Sequence, residues 1–598
     1  MQNATTFFDL YQTELAKLRE DAAWFAREQP AAAHALGMGH GRSGDPHVEL
    51  LLQSFAYLTG RLSHQVEQDR ALLPNAMLDH LCPHLTAPIP SLLVGQLAVN
   101  ADSTGVLAQG REFYAIAQNP HGHKVRCRMA TCFDVPLAPL TVQNLEHVAV
   151  TAYDELSADT GTGVHSVLKL RLHNLGTEPL YNKPVDKLLC YLDIEHLQVW
   201  KLYDLLTTQV AGLAVDAGKG TLRRGGEIRW LGFSEQEAAL KTSLATHPGL
   251  RLIQEYFAFP EKFLFFEISG LDWSDCESEM DLLLLLRSGV DKSMVLAPTT
   301  LRLNCAPLIN LFPQRLDPVA LDQTRHEYRL SGDYSQHDYT EIYAIDHLEA
   351  AAPGQPTRPL APYFGFEDFA QDSPSYFYTT RRVHSQFRGV PGTDVHVSFV
   401  DMHLQPQNPA NDVIGGRAWC TNRRLVEQLH VGNRLRLDGP GPVRHLTVVS
   451  KPTAHQTPVL LAGQPWALVS QLSLNHLSLS SGPQALAALK QLLRAHLGPG
   501  HRVGGKQIDA LRSLDVSTTL TPWVLSGRHS LVECLSIVLR IDASVFTGGS
   551  PLMLGEVLRY FFAHYASINT LVELALETSD VKGKVKTWPP MAGAQIVL

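Results

Sequence analysis

Residues 72–99 read LLPNAMLDHLCPHLTAPIPSLLVGQLAV, and the structural period of the chain changes inside this stretch. Up to Cys82 it reads as the end of a short helix. Pro83, Pro88 and Pro90 then forbid helix continuation, because each lacks a backbone donor and clashes with the preceding turn. From residue 92 the apolar residues are dense and strand-like. Everything before the prolines therefore reads as helix, and most of the chain beyond them reads as sheet.

Upstream, Thr5 or Thr6 is placed to cap a helix whose apolar positions are Phe8, Tyr11, Leu15, Leu18, Ala22 and Phe25. The spacing alternates three and four, which is a narrow coiled-coil seam rather than the broad stripe of an ordinary surface helix. Asp45 before Pro46 marks an N-cap with proline at the first helical position. That second helix presents Val48, Leu51, Leu52, Phe55, Leu58 and Leu62, and a third covers about residues 72–82. Phe8, Tyr11, Leu15, Leu18 and Phe25 form the candidate assembly interface. A bundle shared between chains is the expected use of the seam; packing onto the second helix of the same chain is the alternative.

Downstream, strands are expected at 92–99, 125–129, 167–172 and 188–194. In the third of these, Lys169 and Arg171 alternate with Leu168, Leu170 and Leu172, the pattern of a half-buried strand. Helices are expected near 197–206 and 250–257. Phe263, Phe265 and Phe266 form a run too apolar for a wet face. Residues 351–362, with four prolines, read as a linker or loop. Further strands are expected at 395–400, 468–474 and 531–541, with helices at 484–497 and 552–566. The fold class is α+β: a helical segment over 1–90, β-rich domains over 91–350, and α+β domains over 363–598.

Composition narrows the function classes. The 598 residues are 45% hydrophobic and 18% charged, which describes a globular chain long enough to bury several cores. A net charge of −9 argues against a protein that coats nucleic acid or anionic lipid. The densest apolar run, Leu282 to Leu286, lies between Asp281 and Arg287 and falls far short of a membrane span. The N-terminal residues lack a basic region before an apolar one, so no signal peptide is expected. The eight cysteines are widely separated with no CxxC, the usage of reduced thiols in a cytosolic protein.

Four patterns invite chemistry. Gly39 to Gly44 matches GxGxxG, but a helix precedes it where a dinucleotide site needs a strand. His121, His123, Cys127 and Cys132 could ligate zinc, yet their spacing is not that of a zinc knuckle and Cys127 falls in a strand. Asp272, Asp275, Glu277, Glu279 and Asp281 could serve acid–base chemistry or calcium; the spacing fits no EF-hand, and a solvated loop between apolar strands is the plainer reading. Lys582, Lys584 and Lys586 before Trp588 would share one face of a strand, as edge-protecting lysines do. No catalytic residue, cofactor or metal site is assigned.

Several strings together resemble one family. They are Phe8-x-x-Tyr11-x-x-Glu14-Leu15-x-x-Leu18-Arg19; Asp45-Pro46-His47-Val48-Glu49 with Phe55-Ala56-Tyr57-Leu58; and Glu255-Tyr256-Phe257-Ala258-Phe259-Pro260-Glu261-Lys262-Phe263. With them go Asn304-Cys305-Ala306-Pro307-Leu308-Ile309-Asn310-Leu311-Phe312; Cys420-Thr421-Asn422-Arg423; Leu472-Ser473-Leu474-Asn475; Tyr565-Ala566-Ser567-Ile568-Asn569; and Trp588-Pro589-Pro590. This set is similar to the TssF family (VasA, ImpG), baseplate subunits of the bacterial type VI secretion system. Met591 departs from the family pattern, which has arginine there.

The resemblance implies a structural, non-enzymatic wedge subunit in the cytoplasm. Two copies would join one TssG, with TssK docked on the unit, around a VgrG hub that starts tube and sheath assembly. Neither nucleic acid nor membrane insertion is implied. The equivalent subunit of a phage tail or extracellular contractile device is one alternative, and a β-rich hydrolase using the acids near Asp272 is another. The aromatic residues of the string 255–263 are expected in the core.

Overall fold

The computed structural model describes the chain apart from residues 1–6, 36–44, 102, 120–121, 158–162, 219–221, 242–246, 323, 334–337, 353, 355, 364–375, 386–390, 401–411, 459–482, 499–500, 526–527 and 595–598. The glycine pattern at 39–44, the expected strand at 468–474, the string at 472–475, His121 and the capping threonines all lie outside the described residues. Two compact units emerge among the described residues, one within residues 1–86 and the other within 87–458 and 483–594.

The smaller unit is helical, as the proline-stopped pattern requires. Its main elements are Phe7–Glu28 and Pro46–Leu81. The cap at Asp45 forms as expected, with the His47 amide donating to Asp45 Oδ1 at 2.8 Å. The second and third expected helices, however, are one continuous helix of 36 residues. No glycine or proline separates Leu62 from Leu72, and Gln65, Glu67, Gln68, Arg70 and Ala71 all favour helix, so the backbone has no reason to break.

The larger unit is mainly β. Strands Leu92–Leu97, Cys305–Ile309, Lys124–Thr131, Glu112–Gln118, Arg434–Leu437 and His445–Val448 close, in that order, into a barrel. The alternating strand Ser166–Asn174 is paired on both sides in a five-stranded sheet, with Leu168, Leu170 and Leu172 fully buried. Phe265–Ser269 lies in a four-stranded sheet, and Phe263, Phe265 and Phe266 have no exposed surface. Helices His196–Thr208 and Pro248–Ala258 stand where expected. In the C-terminal sheet Arg528–Ile541 runs parallel to Leu571–Thr578, and Pro551–Tyr565 is the crossover helix that a parallel pair needs.

Within residues 351–362, read as a linker or loop, the short strand Arg358–Leu360 pairs with Glu341–Ala351, Ala350 lying opposite Arg358. Pro359 lies in this strand, at the edge of its sheet, where a missing donor is tolerated. Strands from both sides of this hairpin share the barrel, since Arg434–Leu437 and His445–Val448 join strands drawn from residues 92–309.

Candidate assembly surface

In the helical unit, Phe7–Glu28 packs against Pro46–Leu81 through small residues of the longer helix. Ala56 and Gly60 are buried beneath Leu10, Tyr11 and Leu15. A Cβ on Gly60 would lie 3.1 Å from the Tyr11 Cα, so the close approach depends on glycine there. Arg19 and Glu49 tie the helices with a 2.5 Å ion pair. Of the candidate interface residues, Leu15 is buried in this contact, Tyr11, Leu18 and Phe25 are half-buried, and Phe8 is exposed.

The packing through Ala56 and Gly60 turns the large apolar residues of the longer helix away. Leu51, Phe55, Leu58, Leu62 and Val66 are 48–64% exposed, and Trp24 on the shorter helix is 62% exposed. From Leu51 to Leu62 the spacing, 4-3-4, is that of a coiled-coil seam, and Val66 follows one turn further on. Sequence reasoning identifies this helix face and, with so few helices, leads one to expect apolar surface left over for a partner, but not which residues form it. Trp24 it missed, because the residue falls between seam positions.

The candidate catalytic and metal groups are dispersed. Asp275 is held by Arg223 at 2.7 Å, and Asp281 by Arg171 at 2.9 Å and Lys169 at 3.0 Å. Burial opposes ionisation of Asp281, but hydrogen bonds from Arg171 and Lys169 hold its carboxyl below the usual range. Asp272 accepts from the Ser274 amide at 2.9 Å. Lys169 also reaches Glu146 at 3.4 Å, so the carboxylate that shares its ammonium with Asp281 comes from outside the predicted acidic cluster. Cys127 and Cys132 are buried, and burial pushes both thiols up to about 12, against the thiolate that a metal needs. His123 is exposed. Lys584 and Lys586 alternate on strand Lys584–Thr587, while Lys582 precedes it; the Lys586 ammonium sits 5.1 Å from the Trp588 ring.

The family-like strings act inside the fold. Tyr256, Phe257, Phe259 and Phe263 are buried, as core packing requires. Between them Lys262, fully buried, donates to Glu255 and to the Gly232 carbonyl at 2.8 Å. Glu255 Oε1 in turn accepts the Ala239 and Leu240 amides, each at 2.9 Å. The strings at 304–312 and 420–423 meet: Asn310 Nδ2 donates to Asn422 Oδ1 at 2.8 Å, and the Asn422 amide donates to Asn310 Oδ1 at 2.7 Å. Asn304, at φ +56°, exchanges two hydrogen bonds of 2.9 Å with the Ala138 backbone. The Trp588 ring fills the space above Gly555, where a Cβ would approach it to 2.6 Å.

Among the described residues no helix is long and apolar enough to cross a membrane. The chain is similar to the type VI secretion system component TssF1 of Pseudomonas aeruginosa, at 30% identity with 98% of each chain covered. Its fold is that of a chain in a cryo-electron microscopy structure of a type VI secretion system TssK-TssF-TssG baseplate subcomplex. The TM-score is 0.72 and the identity 22%, covering 92% of this chain and 99% of that one. A chain in a second structure, a baseplate complex from the type VI secretion system, matches with TM-score 0.66 at 20% identity, covering 99% and 100%. The family model described as type VI secretion system, TssF matches residues 3–595, and the chain belongs to that family.

Proposed function

We propose that this chain is a structural wedge subunit of a type VI secretion system baseplate, assembling with TssG, TssK and a second copy of itself around the VgrG hub. It works in the cytoplasm and carries no catalysis; the separately paired acids near Asp272 support the last point. The observation that carries the reading is the open seam of Leu51, Phe55, Leu58, Leu62 and Val66 on a unit dominated by two long helices. So few helices bury little surface, and a stripe at this spacing suits further helices from other chains. Leu15 is already committed to the contact with the longer helix, so Leu15→Asp would unfold the unit rather than test the interface. Phe55→Asp with Leu62→Asp places charges on the exposed stripe alone. Co-expressed with TssG and TssK, this variant is expected to stay folded and lose the complex. Assembly at wild-type stoichiometry would refute the shared bundle.

A further inference from the structure

The barrel carries a second surface of different chemistry. On its outer face Tyr114, Ile116 and Gln118 point away from the core, since Phe113 and Ala117, on the opposite face of the strand, are buried. Across the neighbouring strands Tyr114 lies opposite Arg128 and Arg436, Ile116 opposite Arg126, and Gln118 opposite Lys124. Arg434 extends the row on its strand, separated from Arg436 by the buried Leu435.

Two acids belong to this face. Glu112 holds Arg128 at 2.7 Å, and Asp438 holds Arg126 at 3.2 Å. Lys124, Arg434, Arg436 and the adjacent Arg444 are exposed and make no ion pair among the described residues. Such an excess of positive charge stands out on a chain of net charge −9. Ile116, 53% exposed, sits among these cations as an apolar anchor.

We propose that this barrel face, centred on Ile116, Arg434 and Arg436, docks an acidic segment of a partner protein. Unpaired like charges on one face repel, and a carboxylate-bearing partner relieves that repulsion while electrostatic complementarity orients it. Arginine beside an apolar anchor is the composition of protein-binding hot spots. A single-stranded nucleic acid fits less well. It needs open aromatic faces for its bases, and the Tyr114 ring is covered by the Arg126 guanidinium, 3.9 Å from its centroid. A membrane surface takes up several apolar side chains, and this face offers Ile116 alone.

The test uses the full chain and a fluorescein-labelled twelve-residue peptide of glutamates around a central leucine, followed by fluorescence anisotropy at low salt. Binding is expected, weakening as salt rises. Arg434→Glu with Arg436→Glu should lower affinity at least tenfold, about 1.4 kcal/mol, with an unchanged melting temperature. Ile116→Ser should weaken binding without changing its salt dependence. No binding of the peptide, or equal affinity for wild type and the double variant, would overturn the proposal. So would tighter binding of oligothymidine or phosphatidylglycerol vesicles, lost in the same variant. These outcomes leave the helical-stripe test untouched, because that test reads substitutions in the other unit.

Discussion

Removing the ammonium of Lys262 strands a carboxylate in the core. Lys262 has no exposed surface, and Glu255 is 2% exposed. In Lys262→Met the Glu255 charge keeps its two amide donors, Ala239 and Leu240, and has Arg251 Nε at 3.7 Å as its nearest cation. The Gly232 carbonyl loses its donor at the same time. Breaking a buried pair from one side costs about 3–5 kcal/mol, and the orphaned carbonyl contributes within that range. Glu255→Gln with Lys262→Met removes both charges and retains an amide oxygen for Ala239 and Leu240, so the double variant should recover much of the loss. The assay is urea unfolding of the larger unit, read by tryptophan fluorescence. The slope grows with the surface exposed, so for a unit of this size it should be at least about 3 kcal/mol/M, and the single variant should lose on the order of 1–2 M in midpoint. A single variant within about 1 kcal/mol of wild type, or a double variant no more stable than the single, would refute the reasoning.

Phe259→Ala should lower stability by about 3–5 kcal/mol, because the ring is 1% exposed and leaves a cavity; an unchanged urea midpoint would place that ring outside the core. Burial holds Asp204 protonated up to about 7, above the range of the unfolded carboxyl. Its contribution to stability is therefore full below about pH 4 and lost as pH rises through 7. Asp204→Asn should flatten that slope in thermal unfolding between pH 5 and 8, and an unchanged slope would contradict the shift. Gly60→Val should separate the two long helices by crowding the Tyr11 backbone, and a native-like helical signal with intact protease resistance over residues 7–81 would count against the close packing. All eight thiols are buried, so a thiol reagent at pH 8 should label the native chain slowly and the unfolded chain eight times.

The division between helix and sheet was legible because prolines cluster at 83–90 between the two periods, although Pro83 itself opens one more short helix, Pro83–Thr86, at a position where proline is tolerated. The buried strand around Leu168 to Leu172 was equally plain from alternation. Pairing was not: strands 305–309 and 434–448 close a barrel with strand 92–97 across hundreds of residues, and local period carries no record of such partners. At 351–362 the reading as linker or loop did not include the short strand Arg358–Leu360, because prolines mark turns and edge strands alike. At the candidate surface the seam is visible in the spacing, but the choice of contact rests on Ala56 and Gly60. Two small residues among larger apolar ones are easily overlooked, yet they let the backbones approach and leave Phe55 and Leu62 outside. The Glu255–Lys262 pair was hidden in a string dominated by aromatics, where the charged residues looked peripheral.

The central claim, that the open stripe is where this chain joins its assembly, is tested most directly by hydroxyl-radical footprinting. The free chain is compared with the complex co-purified with TssG and TssK. In the free chain Trp24, Phe55, Leu58 and Leu62 should oxidise readily, as their exposure requires. In the complex the account predicts strong protection of Phe55, Leu58 and Leu62 with little change at Leu15. Equal oxidation of the stripe in the free and assembled states would contradict it.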